Sequence, residues 1–222
     1  MILIGVALLV GGAAWLAEHP EHDPRAPLDL NDPVGWATAT KLANLRGDTQ
    51  LCRAVLRRSN VAIAALKPTG EGACARPDRT VLEEYPFTPG RPSSTCDVAL
   101  ALELWQRNTL NRIAENLFEA NVSQVRHVGT YSCRRLYGRG TGDWSEHATG
   151  NAIDIVGFTL SDGTDISVLG DWDGGGRKSV FLRQARDGAC EVFSTTLSPD
   201  YNSAHADHLH LDMARRWSGV CR

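Results

Sequence analysis

The chain lacks the sequence patterns that mark several common protein classes. Its net charge is −3 over 222 residues, whereas dedicated nucleic-acid-binding proteins are normally basic, so we expect no nucleic-acid partner. No Cys-x-x-Cys pair occurs, which excludes zinc ribbons and thioredoxin-like redox motifs. The glycine-rich stretch 138–142 is not followed by Lys-Ser or Lys-Thr, so it is not a P-loop. Ser145 lacks the Gly-x-Ser-x-Gly surroundings of a nucleophile elbow.

Lys and Arg are also missing in front of the one long hydrophobic run, residues 2–17. The run is long for the hydrophobic part of a signal peptide and slightly short for a membrane span, so both alternatives stay open. We favour an uncleaved anchor, a hydrophobic helix in the membrane, because Trp15 is badly placed for cleavage after Ala17. Either alternative predicts export to the cell envelope, with the rest of the chain outside the cytoplasm.

Composition divides the remainder of the chain into two parts. Residues 18–33 contain Pro20, Pro24, Pro27 and Pro33, which predict an extended linker rather than a helix. Residues 34–222 have an ordinary globular composition and are long enough for one domain with a full core. The sequence therefore predicts an anchor or signal at 1–17, a linker at 18–33 and a single domain at 34–222. We expect this protein to be a monomer.

An even number of cysteines, six, follows the hydrophobic run. In an exported chain this number favours three disulfides over a metal cluster. Spacing alone leaves the connectivity open. Our expectation is that Cys190 pairs with Cys221 to tie down the C-terminal tail, and that Cys74 pairs with Cys96.

Hydrophobic periodicity predicts helices in the first half of the domain and mostly strands in the second. Helices are predicted at 49–58, 97–119 and 178–186. Asp48 is the expected N-cap of the first, in which Cys52, Val55 and Leu56 share a face, and Asp97 is the expected cap of the second. Strands are predicted at 81–85, 123–132, 152–156 and 192–197, at 208–213 as the last strand, and on both sides of a turn at 161–163. Because strands and helices do not alternate as βαβ units, we predict an α+β fold. Its antiparallel sheet would be backed by helices.

Histidine spacing indicates a metal site. His208 and His210 are two residues apart, so a strand would direct both to one face. His147 and Asp154 flank Gly150, which allows the chain to turn between them. Two imidazole nitrogens and one carboxylate oxygen, with a fourth position left to water, form the ligand set of a catalytic zinc site.

Two blocks of sequence resemble the signature of the zinc peptidases grouped with lysostaphin, the D-Ala-D-Ala carboxypeptidases and Hedgehog-type domains. The first block carries all the fixed positions of that signature, namely Ser145, His147, Gly150, Ala152 and Asp154. The second, 207–210, fits the later His-x-His of the family, with Asp207 in place of Glu for the Glu-x-x-His form. The resemblance implies Zn²⁺ bound by His147, Asp154 and His210.

Within that group, the amino-acid sequence of the chain is similar to that of the extensin-like C-terminal domain of bacterial envelope proteins. The similarity covers about residues 45–222 and is carried by the blocks 131–134, 145–154, 181–183 and 207–212. The chain contains no Ser-Pro repeats, so the family name does not imply a structural fibre.

The resemblance also implies roles around the metal. His208 is our first candidate for the general base, and Asp207 is the alternative, although strand alternation predicts that it points to the opposite face. His205 would support either of them. Arg134 would stabilise the oxyanion, since it stands where relatives place a cationic residue; the alternative for Arg134 is a surface salt bridge.

The function that follows is an exported zinc metallopeptidase that hydrolyses peptidoglycan stem peptides or cross-links, as a carboxypeptidase or an endopeptidase. A non-catalytic cell-wall-binding domain of the same zinc fold is the alternative, because Asp207 differs from the Glu of the family. A Hedgehog-like signalling or calcium-binding module has little support, since carboxylates do not cluster with the histidines.

Overall fold

The structure is a computed structural model that describes residues 2–222, with the side chains of residues 2–4 and 6–8 left aside. Its helices are α1 Ile2–Glu18, α2 Thr38–Leu45, α3 Thr49–Arg58, α4 Cys96–Trp105, α5 Asn111–Phe118, α6 Val168–Asp171 and α7 Gly176–Val192. Its strands are β1 Ile63–Ala65, β2 Thr80–Leu82, β3 Phe87–Thr88, β4 Ser93–Ser94, β5 Val122–Gly129, β6 Ala152–Leu160, β7 Asp165–Ser167, β8 Thr195–Leu197, β9 Leu209–Asp212 and β10 Val220–Cys221. The predicted α+β class is confirmed.

The main sheet contains seven strands in the order β10-β8-β9-β6-β5-β3, with β7 paired to β6. Its central pairs are antiparallel, as predicted, but β10 runs parallel to β8 and β3 runs parallel to β5. The prediction of a wholly antiparallel sheet was therefore wrong at both edges. Helices α4 and α5 separate β3 from β5, and β10 returns past β9 to the far side of β8; such crossover connections produce parallel neighbours.

A smaller antiparallel sheet, in the order β1-β2-β4, lies beside the main one. Helices α4 and α7 pack against the main sheet through buried aromatic rings. The Trp105 ring centroid lies 5.9 Å from that of Phe158 on β6, which lies 5.2 Å from that of Phe181 on α7. Trp105 Nε1 also donates to the Ala185 carbonyl at 2.8 Å. The helices thus back the sheet, as the sequence predicted.

Several helix boundaries match the sequence, and one cap does not. Asp48 caps α3 by accepting from Leu51 N at 2.9 Å. Helix α4 is capped by Thr95, whose Oγ1 accepts from Val98 N at 3.4 Å, rather than by Asp97. Asp97 lies inside the helix and accepts from Gly47 N instead. A π-helical stretch, Gln106–Leu110, joins α4 to α5, so the predicted long helix is three consecutive segments.

The segment 18–33 is packed onto the domain and is not the extended tether that its prolines predicted. Pro20–His22 form one 3₁₀ turn, which proline tolerates at its first position. Leu28 and Leu30 are buried in the core, and Leu30 N donates to Ser59 Oγ at 3.1 Å. The two leucines between the prolines supply the apolar surface that holds the segment in place.

The predicted N-terminal hydrophobic helix is present as α1, which is 17 residues long. In the part of the chain that the structure describes, no helix is both long and apolar enough to cross a membrane. The membrane anchor or signal expected at residues 1–17 stays a prediction.

All six cysteines are paired, as expected. The bond Cys190–Cys221 is confirmed, but the expected Cys74–Cys96 bond is wrong. Cys96 begins α4 and is bonded to Cys52 on the buried face of α3, whereas Cys74 is bonded to Cys133 just after β5. Spacing along the chain carries no information about which helix packs on which, so it could not distinguish these partners.

Candidate metal centre

The two central strands of the main sheet bring Asp154 and His210 face to face. Strands β6 and β9 are antiparallel with Asp154 opposite His210, and Asp154 Oδ1 lies 2.9 Å from His210 Nδ1. Strand β8 lies on the other side of β9, with Leu197 opposite His210 and Thr195 opposite Asp212. Directly opposed residues project to the same face of a sheet. This face is the floor of the site.

His147 reaches the same point from a short 3₁₀ turn, Glu146–Thr149. Ser145 caps the turn by accepting from His147 N at 3.3 Å. The turn ends at Gly150, which has a φ of +73°, a left-handed conformation that favours glycine. A Cβ atom there would also approach Arg76 Nη2 to 2.8 Å. Gly150 is therefore required for the turn that positions His147.

The structure brings together the three residues that the sequence nominated as metal ligands. His147 Nε2 lies 3.1 Å from Asp154 Oδ2 and 3.2 Å from His210 Nδ1. One ligand atom from each of the three residues lies within 4.8 Å of the others. His147 is buried, and Asp154 and His210 are largely so.

Neighbouring groups fix which ring nitrogens face this point. His147 Nδ1 lies 3.3 Å from the Thr130 carbonyl, which can only accept, so Nδ1 carries the hydrogen. His210 Nε2 lies 3.0 Å from Asp212 Oδ2 and is held as a donor in the same way. The lone pairs of His147 Nε2 and His210 Nδ1 therefore face the Asp154 carboxylate. When both rings are neutral, a proton or a metal ion can lie among these three acceptors.

This donor set fits a metal ion of the zinc type. Catalytic zinc sites use three nitrogen and oxygen ligands and leave a position open. Ligating histidines usually donate their other ring N–H to a carboxylate or a backbone carbonyl. Asp212, which is 2% exposed, and the carbonyl of Thr130 supply those acceptors here.

The electrostatics of the site favour positive charge at its centre. Burial opposes ionisation of Asp154, but when the His147 and His210 rings are protonated, their hydrogen bonds to the carboxylate outweigh burial and hold the pKa of Asp154 well below its usual range. Burial likewise opposes a charge on His210, yet Asp154 and Asp212 raise the pKa of His210 to about 9. The two carboxylates therefore favour positive charge at His210, which either a proton or a metal ion can supply.

The two candidates for the general base are in direct contact. His208 Nδ1 lies 2.7 Å from Asp207 Oδ1, and His208 Nε2 lies 3.6 Å from Asp154 Oδ1. Asp207 is 64% exposed, whereas the His208 side chain is 16% exposed, and β9 begins only at Leu209. Residues 207 and 208 precede the strand, so strand alternation does not apply to them.

His205 lies beside this pair on another 3₁₀ turn, Ser203–His205. Its ring centroid is 5.1 Å from that of His208, and its Nδ1 lies 2.8 Å from Asn202 Oδ1. Burial, together with His208 and His210, lowers the pKa of His205 to about 4. His205 is therefore neutral near pH 7 and adds no positive charge next to His208.

His147, Asp154 and His210 open into a cleft of about 440 Å³. Arg134 and Arg216 line it together with apolar and aromatic side chains, of which Tyr137 and Tyr201 are exposed. The backbone of Arg134 is tied to the site turn, because its carbonyl accepts from Ser145 N at 3.1 Å. Neither arginine forms an ion pair within residues 2–222, so the surface salt bridge considered for Arg134 is not observed.

Three contributors to the site were not identified from sequence. Asp212 is two residues after His210, and the spacing His-x-Asp on a strand could have indicated its contact with that ring. Thr130 acts through its carbonyl, which no side-chain pattern reveals. Arg216 lies in an irregular segment after β9 and had no sequence signal.

Comparison with known proteins gives one family and no individual relative. The family described as Extensin-like protein C-terminus matches residues 50–222, a stretch that contains the whole candidate centre. No curated protein and no solved structure matches the chain. Since the match covers most of its length, this chain belongs to the extensin-like protein C-terminus family.

Proposed function

We propose that the protein is a zinc-dependent hydrolase of peptide bonds. The observation that carries the proposal is the convergence of His147 Nε2, His210 Nδ1 and the Asp154 carboxylate on one point, with both histidine tautomers fixed from behind. Burying an ionised carboxylate is costly unless it is paired, and a cation held between these groups would offset that cost. The constellation lies in a cleft, where a substrate can reach it.

In this proposal His147, Asp154 and His210 hold the zinc ion. When bound, zinc acts as a Lewis acid that lowers the pKa of water to about 7. Asp212 and the Thr130 carbonyl keep the two rings oriented. Asp212 lies on β9 and Thr130 directly follows β5, so both contacts are made by groups that the main sheet holds in place.

His208 would serve as the general base. Its Nδ1 hydrogen is held by Asp207, which leaves the lone pair of Nε2 on the side of Asp154. Nε2 can therefore accept a proton from a nucleophile in the cleft. Asp207 would orient this imidazole and stabilise its charged form, a role that explains why the carboxylate need not enter the cleft itself.

Arg134 would stabilise the negative charge that develops on the carbonyl oxygen. Its guanidinium has no partner among the described residues, and its backbone is fixed to the turn that carries His147. A donor of this kind contributes a few kcal/mol to catalysis in comparable sites, about 2.7–4 kcal/mol when one donor is removed.

The substrate proposed here is a peptidoglycan stem peptide or cross-link. This choice rests on the resemblance of residues 145–154 and 207–210 to lysostaphin-type zinc peptidases, which the family match does not itself establish. The disulfides agree with an exported protein, since such bonds persist in oxidising compartments. We place the working protein in the cell envelope and expect a monomer.

A cell-wall-binding domain without turnover is the second candidate. The observation in its favour is that Asp207, at the position of the family Glu, is 64% exposed and contacts His208 rather than the metal ligands. If His208 cannot act as a base, the same cleft could still bind a peptide.

The test is incubation of the zinc-loaded full-length protein with defined muropeptides, analysed by chromatography. We expect cleavage, loss of cleavage with a chelator and recovery on zinc addition. His210→Ala should abolish both zinc uptake and cleavage. Full zinc occupancy with no cleavage but with binding to sacculi would reject the hydrolase and favour the binding domain. Failure of the wild-type protein to bind zinc would reject both.

A further inference from the structure

Arg216 contributes a guanidinium group to the cleft that the proposed reaction does not use. Its Nε donates to Thr195 Oγ1 at 2.9 Å, which fixes the group against β8. Nη1 and Nη2 make no hydrogen bond within the described chain. The Arg216 guanidinium is thus positioned through Nε, and Nη1 and Nη2 remain able to donate to a ligand.

The strand register places Arg216 close to the metal ligands. Thr195 lies opposite Asp212, and Asp212 is bonded to His210. Diagonal neighbours across a sheet lie about 7–8 Å apart, so Thr195 is about that far from His210. One residue of an extended peptide spans about 3.3–3.6 Å. A peptide bound at the centre would therefore pass Arg216 within about one or two residues.

Among the residues that the structure describes, no carboxylate forms an ion pair with Arg216. Both oxygens of Asp154 are engaged by His147 and His210. Both oxygens of Asp212 are engaged as well, one by His210 Nε2 and one by Ala214 N. The buried carboxylates on the floor of the cleft are thus committed to other partners, and an anionic group on the ligand would complete the ion pair.

The segment that carries Arg216 is fastened at both ends. Met213 N donates to the Asn151 carbonyl at 3.1 Å before it, and Val220 N donates to the Ser194 carbonyl at 2.8 Å after it. The Cys190–Cys221 bond closes the segment onto α7. Binding a ligand to a group that is already fixed costs less entropy than ordering a free side chain.

The geometry points to Arg216 as the residue that binds a free carboxylate of the substrate, one or two residues beyond the bond that is cut. The inference rests on the proposed function and refines it, because an endopeptidase substrate has no terminal carboxylate at that position. The protein would then be a carboxypeptidase. An arginine suits this task better than a lysine, since its fork donates two parallel hydrogen bonds to a carboxylate.

The experiment measures peptide binding as well as cleavage. Zinc-loaded full-length His208→Ala protein, in which turnover is slow, is titrated calorimetrically with a stem peptide as the free acid and as the C-terminal amide. We expect the free acid to bind about 10- to 100-fold more tightly, the usual range for a hydrogen bond to a charged group. A third peptide keeps its terminal carboxylate but has its side-chain carboxylates amidated, and should bind like the first.

Arg216→Met in the same background should remove the preference for the free acid and leave amide binding unchanged. Arg216→Lys should retain only part of the preference, because it keeps the charge and loses the fork. Arg215→Met is the matched control, since Arg215 is adjacent in sequence but does not line the cleft. Zinc stoichiometry and the melting temperature of each variant report whether the site and the fold are intact.

Equal binding of acid and amide, binding of neither, or a preference that survives in Arg216→Met would overturn the inference. If only the peptide with amidated side-chain carboxylates binds more weakly than the free acid, Arg216 does not bind the terminal carboxylate. Other outcomes distinguish failure of the proposed function from failure of this inference. If protein with His208 intact cleaves neither peptide but prefers the free acid, the hydrolase is rejected and the role of Arg216 stands. Cleavage without that preference rejects Arg216 alone.

Discussion

His210 Nε2 lies 3.0 Å from Oδ2 of Asp212, two residues further along the same strand. The contact turns Nδ1 of the ring toward Asp154 and His147. Asp212 is buried and also accepts from Ala214 N, so its orientation is itself fixed. A residue outside the proposed ligand set thus determines which nitrogen of His210 faces Asp154 and His147.

Asp212→Asn should weaken zinc binding by about 10- to 100-fold, the usual effect of losing such a supporting carboxylate. The amide can present its NH₂ group to the ring and then no longer selects the correct tautomer. Competition with a fluorescent chelator measures the affinity. Asp162→Asn, in the exposed turn before β7, is the control and should bind zinc like the wild type. An unchanged affinity in Asp212→Asn would show that the tautomer is fixed in another way.

His208→Ala should lower turnover by about 10²–10⁴-fold and leave one zinc per chain. The ring is a base in our proposal and not a ligand, so metal content should be spared. Asp207→Asn should cause a smaller loss, because the exposed carboxylate only orients the imidazole. Steady-state kinetics and metal analysis of both variants measure this. If Asp207→Asn abolishes turnover and His208→Ala does not, the roles are reversed.

The double variant Cys74→Ser, Cys133→Ser should lose about 2–4 kcal/mol of unfolding free energy and, in addition, turnover. Cys133 precedes Arg134, so the bond fixes the segment that carries the proposed oxyanion donor. The matched control is Cys52→Ser, Cys96→Ser, which removes a bond between α3 and α4 outside the cleft. Chemical denaturation and kinetics should show comparable destabilisation in both, with a specific loss of turnover only in the first.

His127→Phe should make the protein less sensitive to acid. His127 on β5 is buried against Phe87, and burial lowers its pKa below the usual 6.5 even though the Gly90 and Pro89 backbone acts in the opposite direction. Below that pH the unfolded chain binds a proton that the folded protein excludes, so stability falls as pH falls. Relative to the wild type, the variant should therefore gain unfolding free energy between about pH 8 and pH 5. Urea denaturation at both values measures it, and a pH-independent difference would contradict the assignment.

The clustering of His147, Asp154 and His210 could be predicted from sequence in part because local geometry positions each of them. His147 lies on a turn that Gly150 makes possible, and Asp154 and His210 each lie on a strand whose alternation fixes the side-chain direction. These relationships span only a few residues. The pairing that sets Asp154 opposite His210 joins strands that are distant along the chain, so local patterns do not predict it. Only the resemblance to a family indicated that these two residues lie together.

The errors have the same origin. The strand alternation applied to Asp207 does not reach it, because β9 starts at Leu209, and that start depends on pairing with β6, which no local pattern reveals. Cys74 was paired with the wrong cysteine because the partner is chosen by packing between distant segments. Arg216 belongs to the cleft only because its segment folds back over β8.

Both outermost strands of the main sheet, β3 and β10, are only two residues long. An open strand edge exposes unpaired backbone donors and acceptors that can recruit another chain, and very short edge strands are one way in which proteins avoid this. Strand β10 and Arg222 cover the outer edge of β8, since Arg222 N donates to the Thr196 carbonyl and Ser198 N donates to the Arg222 carbonyl. The last residues of the fold thus protect the sheet that carries the metal ligands against edge-to-edge aggregation.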